Sequence, residues 1–254
     1  MRHAFPIGKA LLAYAMEIGR FGHGERCFRG VLDGNRVIQQ PDSDDAPIDT
    51  SGRVWDYGDL VVFSPIRPTQ IVDIQVGAED PKVRLRPSSS VGPHRAMVTV
   101  PRDRRAVVAM PRLGCLLRKP LFKASLQSVR DAIQGCLTAI IFEEESPFPS
   151  DPASLASLAH EGFTTLGAAL TLAIPLPSIP PVLWHNGRAL AGSAPQSDPH
   201  ALIAGVSAWL HLGAGDLILT GPAPVTRIRA GDHLECRCPP LRPSAVNIGF
   251  RGSA

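Results

Sequence analysis

Short apolar runs broken by glycine, proline and polar clusters dominate this chain, a pattern that predicts strands more often than helices. Met16 opens M-E-I-G-R-F-G-H-G-E-R-C-F-R-G-V-L-D-G-N-R-V-I, in which two strand-like runs flank Asp33-Gly34-Asn35. Glycine and asparagine tolerate the positive φ of a tight turn, so a hairpin is expected there. Gln40 to Gly52 is acidic and turn-rich and reads as a loop. From Ile71 onward, runs such as V-R-L-R-P-S-S-S and A-M-V-T-V-P alternate with turn residues. The clearest helical stretches are Ser125 to Gly135, Pro152 to Glu161 behind Ser150 and Asp151, and Pro199 to Leu212 capped by Asp198. Residues 1–15 predict one further short helix outside the body of the fold. The expectation is a mainly β chain of the α+β class, with a few peripheral helices and with prolines at strand edges and corners.

A chain of 254 residues accommodates a small domain followed by a larger one. We divide it into an extension (1–15), a small N-terminal domain (16–68) and a large domain (69–254). No apolar run reaches the roughly 18 to 20 residues that span a bilayer, so no membrane partner is expected. The net charge of +3 comes from scattered basic residues, without the basic stripe that grips a phosphate backbone, so nucleic acid is not expected either. Cys27, Cys115, Cys136, Cys236 and Cys238 read as reduced structural thiols. On a regular strand the C-x-C pair would present both thiols to one face, half of a metal site with no second half nearby. With no secretory signal at the N-terminus, a cytoplasmic location is expected. The sequence has no G-x-S-x-G, no phosphate-binding glycine loop and no H-E-x-x-H.

Five segments in order carry a resemblance. The R-F-G-H-G-E-R-C-F-R-G-V-L-D-G-N-R-V-I opening and the linker S-P-I-R-P-T-Q-I-V-D-I come first. They are followed by L-R-P-S-S-S-V-G-P-H-R-A-M-V-T-V-P, W-H-N-G-R, and H-L-G-A-G-D-L-I-L-T-G-P with I-R-A-G-D-H-L-E-C. Together they resemble the fumarylacetoacetate hydrolase family, including its hydratase and decarboxylase branches, over residues 16–254. The resemblance implies a mixed β-roll behind a small N-terminal domain, and a homodimer formed through the large domain. It also implies chemistry on β-dicarbonyl compounds at a divalent cation held by an E-x-E strand and an aspartate, the metal stabilising an enolate oxygen.

Set on those motifs, V-V-A-M-P-R-L-G-C-L-L places Met110 and Arg112 at the two glutamates, and G-C-L-T-A-I-I-F-E-E-E places Ile141 at the aspartate. The family's lysine before G-F-D-T becomes Glu161, its glutamine after N-G becomes Ala191, and its loop lysine becomes Arg86. Only Gln75 to Arg84 fills the place of the lid that carries the His/Glu base, so the lid is read as deleted. No metal and no other cofactor is therefore expected.

Met110 and Arg112, two apart on a strand, face one way. Arg112 could stabilise an enolate or clamp a carboxylate, or it could pair with Glu161 or Glu144 and plug the pocket. Arg86 would add a second cation at the pocket mouth. Ser88, Ser89 and Ser90 could bond a carbonyl oxygen, and Thr220 and Gly221 resemble the family's oxygen-binding turn. Glu144, within Glu143 to Glu145, is a candidate base, and His185 beside Asn186 is read as structural.

The chemistry that survives is lyase, isomerase or cyclase work without a metal, including pericyclic ring closure, on an apolar, enolisable, polyketide-like small molecule of secondary metabolism. A non-catalytic binding or oligomer-forming subunit stands beside this reading. So does a conventional C–C hydrolase or hydratase, should the register be displaced.

Overall fold

In the computed structural model the described residues are 15–41, 48–49, 51–76, 80–100, 106–144, 157–172, 174–177, 179–190, 197–222 and 226–250. The N-terminal module consists of β1 (Met16–His23), β2 (Arg26–Asp33), β3 (Arg36–Gln40), β4 (Val54–Asp56) and β5 (Val61–Phe63). The hairpin expected at Asp33-Gly34-Asn35 joins β2 to β3: Asp33 pairs with Arg36, and Gly34 takes φ 60°. Phe21, Phe28, Leu32, Val37 and Leu60 pack together with Ala169, which lies just before Leu170–Leu172, the strand that pairs with β1.

The larger part contains β6 (Ile71–Val76), β7 (Lys82–Arg86), β8 (Val91–Gly92), β9 (Met97–Val100), β10 (Val107–Leu117) and β11 (Ile133–Glu144). These are followed by β12 (Thr164–Leu166), β13 (Leu170–Leu172), β14 (Val182–His185) and β15 (Arg188–Ala189). The chain closes with β16 (Leu217–Pro222), β17 (Thr226–Ile228), β18 (His233–Cys238) and β19 (Leu241–Phe250). One sheet runs β4-β3-β2-β1-β13-β11-β10-β16-β6-β7, with β5, β8, β12 and β17 branching from it, and a second runs β15-β14-β18-β19-β9. Most pairs are antiparallel, but β6·β16, β8·β12 and β9·β19 are parallel, so the fold is the mixed, mainly β roll expected.

Strands β10 and β11 form the spine. Both read as nearly continuous apolar runs because both their faces are covered. Met110, Ile141, Leu166 and Leu219 pack on one face. On the other, Ala109, Ile140 and Phe142 meet Leu234, Val246 and Ile248 of the second sheet. Pro111, in the middle of β10, lies between the stretch paired with β17 (Val107–Ala109) and the stretch paired with β16 (Leu113–Leu116). On that side it needs no ladder donor, which is what allows a proline here.

The helices are shorter than expected. Helix α1 (Leu126–Ala132) starts where Ser125 Oγ accepts the Ser128 N–H, and it ends at Ile133, where β11 begins. Helix α2 (Pro199–Ser207) starts at Asp198 as expected and stops at Ser207, not Leu212; the Ser207 hydroxyl turns back onto Ala204 O. Of the stretch Pro152 to Glu161, residues 157–161 form turns and the rest lies outside the described residues, as do residues 1–14. The thiols are free, but Cys236 and Cys238 do not share a surface. The β18·β19 register shifts between them, and they pack into different core clusters. Among the described residues no helix is long and apolar enough to cross a membrane.

Candidate functional site

The register brings three of the expected residues together. Met110 lies directly opposite Ile141, and Arg112, two residues along, shares their face; all three are fully buried. The partner of Arg112 is neither Glu161 nor Glu144 but Asp73 of β6, across the intervening strand β16. Arg112 Nε donates to Asp73 Oδ1 at 2.7 Å. Its Nη1 donates to the carbonyls of Pro111 (3.0 Å) and Pro222 (2.7 Å), and Nη2 lies 3.5 Å from Met110 Sδ. The guanidinium therefore satisfies carbonyls where the ladder is interrupted, and Asp73 is held almost wholly out of water.

Glycine at 221 makes that route possible. A Cβ there would stand 2.5 Å from Pro111 O and 3.0 Å from Arg112 Cδ, so any side chain would collide with the crossing arginine.

Arg86 ends β7 beside the same group. Its Nε donates to Thr164 Oγ1 (3.2 Å), and Nη2 to the carbonyls of Phe142 (2.6 Å) and Phe163 (3.0 Å). Nη1 stands 4.0 Å from Asp73 Oδ2 with no hydrogen-bond partner. Burial pulls the Arg86 guanidinium down to about 10, opposed by Asp73, so it stays charged at neutral pH. Two buried cations thus share one buried aspartate, while Arg84 pairs with Glu143 at 2.5 Å.

The remaining candidates disperse. Ser88 and Ser89 are exposed, and it is Ser90 that turns inward, to Pro87 O and Thr164. Glu144 falls on the opposite face of β11 from Ile141 and contacts His160 Nε2 at 3.2 Å. Glu161 is exposed. Ala191 lies outside the described residues. His185, for which the sequence shows no partner, has its Nε2 3.0 Å from Asp232 Oδ2. Thr220 and Gly221 line a cavity of about 170 Å³ on the Leu113 side of the sheet, walled by Val76, Leu113, Ile179, Leu202 and several prolines, with no charged residue.

These residues do not fit a divalent cation. At the three positions that the resemblance assigns to ligands stand a thioether, a guanidinium and an alkyl chain, and the carboxylates on that face are committed, Asp73 to Arg112 and Glu143 to Arg84. Among the described residues no group of three or more His, Cys, Asp or Glu side chains is placed to hold a metal. Sequence reasoning misses Asp73 and His160. Asp73 leaves a signal, a carboxylate inside the apolar run I-V-D-I-Q-V, because a strand buried along its whole length must give a charge a buried partner.

The model of the fumarylacetoacetate (FAA) hydrolase C-terminal domain matches residues 69–249. No curated protein matches the chain significantly by sequence. Among solved structures, 2-hydroxyhepta-2,4-diene-1,7-dioate isomerase from Mycobacterium marinum superposes with a TM-score of 0.83 at 20% identity, covering 94% of this chain and 100% of that one. For 5-carboxymethyl-2-hydroxymuconate delta-isomerase from Mycobacterium smegmatis the values are 0.81 and 19%, covering 93% and 100%. For maleylpyruvate hydrolase from Sphingobium sp. SYK-6 they are 0.76 and 18%, again covering 93% and 100%. At these identities the likeness is one of fold, and together with the match over most of its length it leads to one conclusion: the chain belongs to the fumarylacetoacetate hydrolase family.

Proposed function

We propose that this chain is a metal-independent member of its family. In this reading it encloses a small, apolar, enolisable molecule and promotes its isomerisation, decarboxylation or cyclisation, pericyclic closure included. The observation that carries the reading is the Arg112–Asp73 ion pair, which fills the face where the family's ligands would stand. The apolar cavity beside Thr220 and Gly221 is then the substrate site. It offers apolar walls, the Thr220 hydroxyl and no ionisable side chain, which suits a reaction driven by selecting one conformer and bonding one carbonyl. Arg112 and Arg86 act in this scheme by fixing the sheet behind Thr220 and Gly221, without touching the substrate.

A second reading, a non-catalytic binding subunit, is favoured by the complete burial of Met110, Arg112 and Ile141, which leaves the ancestral pocket closed. Metal independence is tested by elemental analysis of the purified protein and by melting it with and without millimolar Mg²⁺ or Mn²⁺. We expect no stoichiometric metal and an unchanged midpoint; a bound equivalent, or stabilisation by several degrees, refutes the proposal. Turnover of enolisable apolar ketones that bind the cavity separates enzyme from binding subunit.

A further inference from the structure

A cavity of about 230 Å³ opens elsewhere on the molecule. It is lined by Tyr57 of the N-terminal module, His94 and Arg95 from the turn before β9, His233 and Glu235 of β18, and Arg242 of β19. Ala168 and Pro243 add apolar wall. None of these residues belongs to the Arg112–Asp73 group or to the apolar cavity.

The hydrogen bonds around this cavity leave donors over. His94 Nδ1 accepts the backbone N–H of Ala245 at 3.1 Å, so the ring proton sits on Nε2, which has no partner among the described residues. Burial pushes His94 down to about 4, and Arg95 and Arg242 push the same way against Glu235, so the ring is a neutral donor at physiological pH. Burial raises Tyr57, which keeps its hydroxyl proton; that hydroxyl and the Arg95 guanidinium are likewise without hydrogen-bond partners among the described residues. Arg242 uses Nε on Glu17 (2.5 Å) and Nη2 on Gly34 O (3.1 Å), leaving Nη1 free of protein bonds among the described residues. The carboxylate in the lining is already matched: Glu235 Oε2 takes both Nε (2.8 Å) and Nη2 (2.6 Å) of Arg237, and its Oε1 faces His233 at 3.2 Å. What remains is a surplus of donors and of positive charge in a concave site of small-molecule size.

Arg95 adds a second observation. Its backbone sits at φ 60°, a region arginine rarely occupies, fixed by its N–H on Ala245 O at 2.7 Å. The turn thus holds at the cavity a guanidinium with no hydrogen-bond partner among the described residues, in a conformation that glycine would adopt at lower cost.

We infer that this cavity binds a small organic molecule through an oxyanion group, a carboxylate or a phosphate, held by Arg95, Arg242, Tyr57 and His94 Nε2. Guanidinium and oxyanion meet through paired, charge-assisted hydrogen bonds, which the hydroxyl and imidazole donors extend.

Calorimetric titration of the full chain with succinate and with inorganic phosphate, against chloride at matched ionic strength, tests the assignment. We expect binding of at least one oxyanion; tighter succinate assigns a carboxylate ligand, and tighter phosphate a phosphoryl one. Arg95→Gly suits the local φ and should melt no lower than wild type, while weakening the oxyanion about tenfold or more. Tyr57→Phe keeps the ring packed on Phe21 and should also weaken binding. If wild type binds neither anion at millimolar concentration, or if both variants bind as wild type does, the inference falls.

Discussion

At the scale of single residues, the consequence of the structure is greatest at Arg112. From the sequence alone it is a cation that could serve an enolate or a carboxylate, or pair with Glu161 or Glu144. In the structure it is the partner of a buried aspartate, and its loss leaves Asp73, among the described residues, with Arg86 at 4.0 Å as its remaining cation. Removing one member of a buried pair typically costs about 3–5 kcal/mol, whereas replacing both with apolar groups is often close to neutral. Arg112→Met alone should therefore destabilise the protein by about that much in urea denaturation, and the double variant Asp73→Leu/Arg112→Met should recover most of the loss. A loss in the double variant equal to the sum of the two single losses would show that the pair is not energetically coupled.

At the scale of elements, the same substitution has opposite signs at two glycines. On β16, a methyl group at Gly221 meets Pro111 O at 2.5 Å and the crossing Arg112 side chain at 3.0 Å, so Gly221→Ala must displace backbone or break the ion pair's geometry. Overpacking of this kind costs about 1–3 kcal/mol. In α2, a methyl group at Gly205 would meet nothing within 4 Å, and Gly205→Ala should stabilise by about 0.5–1 kcal/mol through helix propensity. Thermal melts of the two variants should move in opposite directions. A shared direction would mean that the approach of β10 to β16 relaxes freely.

At the scale of the whole molecule, the expected assembly is a homodimer formed through residues 69–254, an expectation carried by the family. It has local support in the apolar side chains left uncovered around the two helices, where Phe122, Leu126 and Trp209 are 53%, 44% and 64% exposed. Light scattering at micromolar concentration should give twice the chain mass of 27.1 kDa. A clean single-chain mass would count against it.

The sequence by itself determined the strand-rich character, the β2–β3 hairpin and the starts of α1 and α2. Each of these depends on local chemistry: the run of apolar positions, a glycine at positive φ, a side-chain oxygen over the first free N–H groups. It also placed Met110, Arg112 and Ile141 on one face, because strand periodicity and motif order fix that without any knowledge of neighbours. Helix ends are not legible because tertiary partners decide them: β11 captures the chain at Ile133, and Ser207 turns its hydroxyl inward. The shared face expected for the C-x-C pair fails because a local register shift breaks the period of two on which it depends. Only the tertiary structure could decide what Arg112 does, since its partner stands 39 residues away on a strand that is not its neighbour. The same is true of the donor-rich cavity, whose lining is drawn from positions 57 to 245 and is assembled by sheet topology alone.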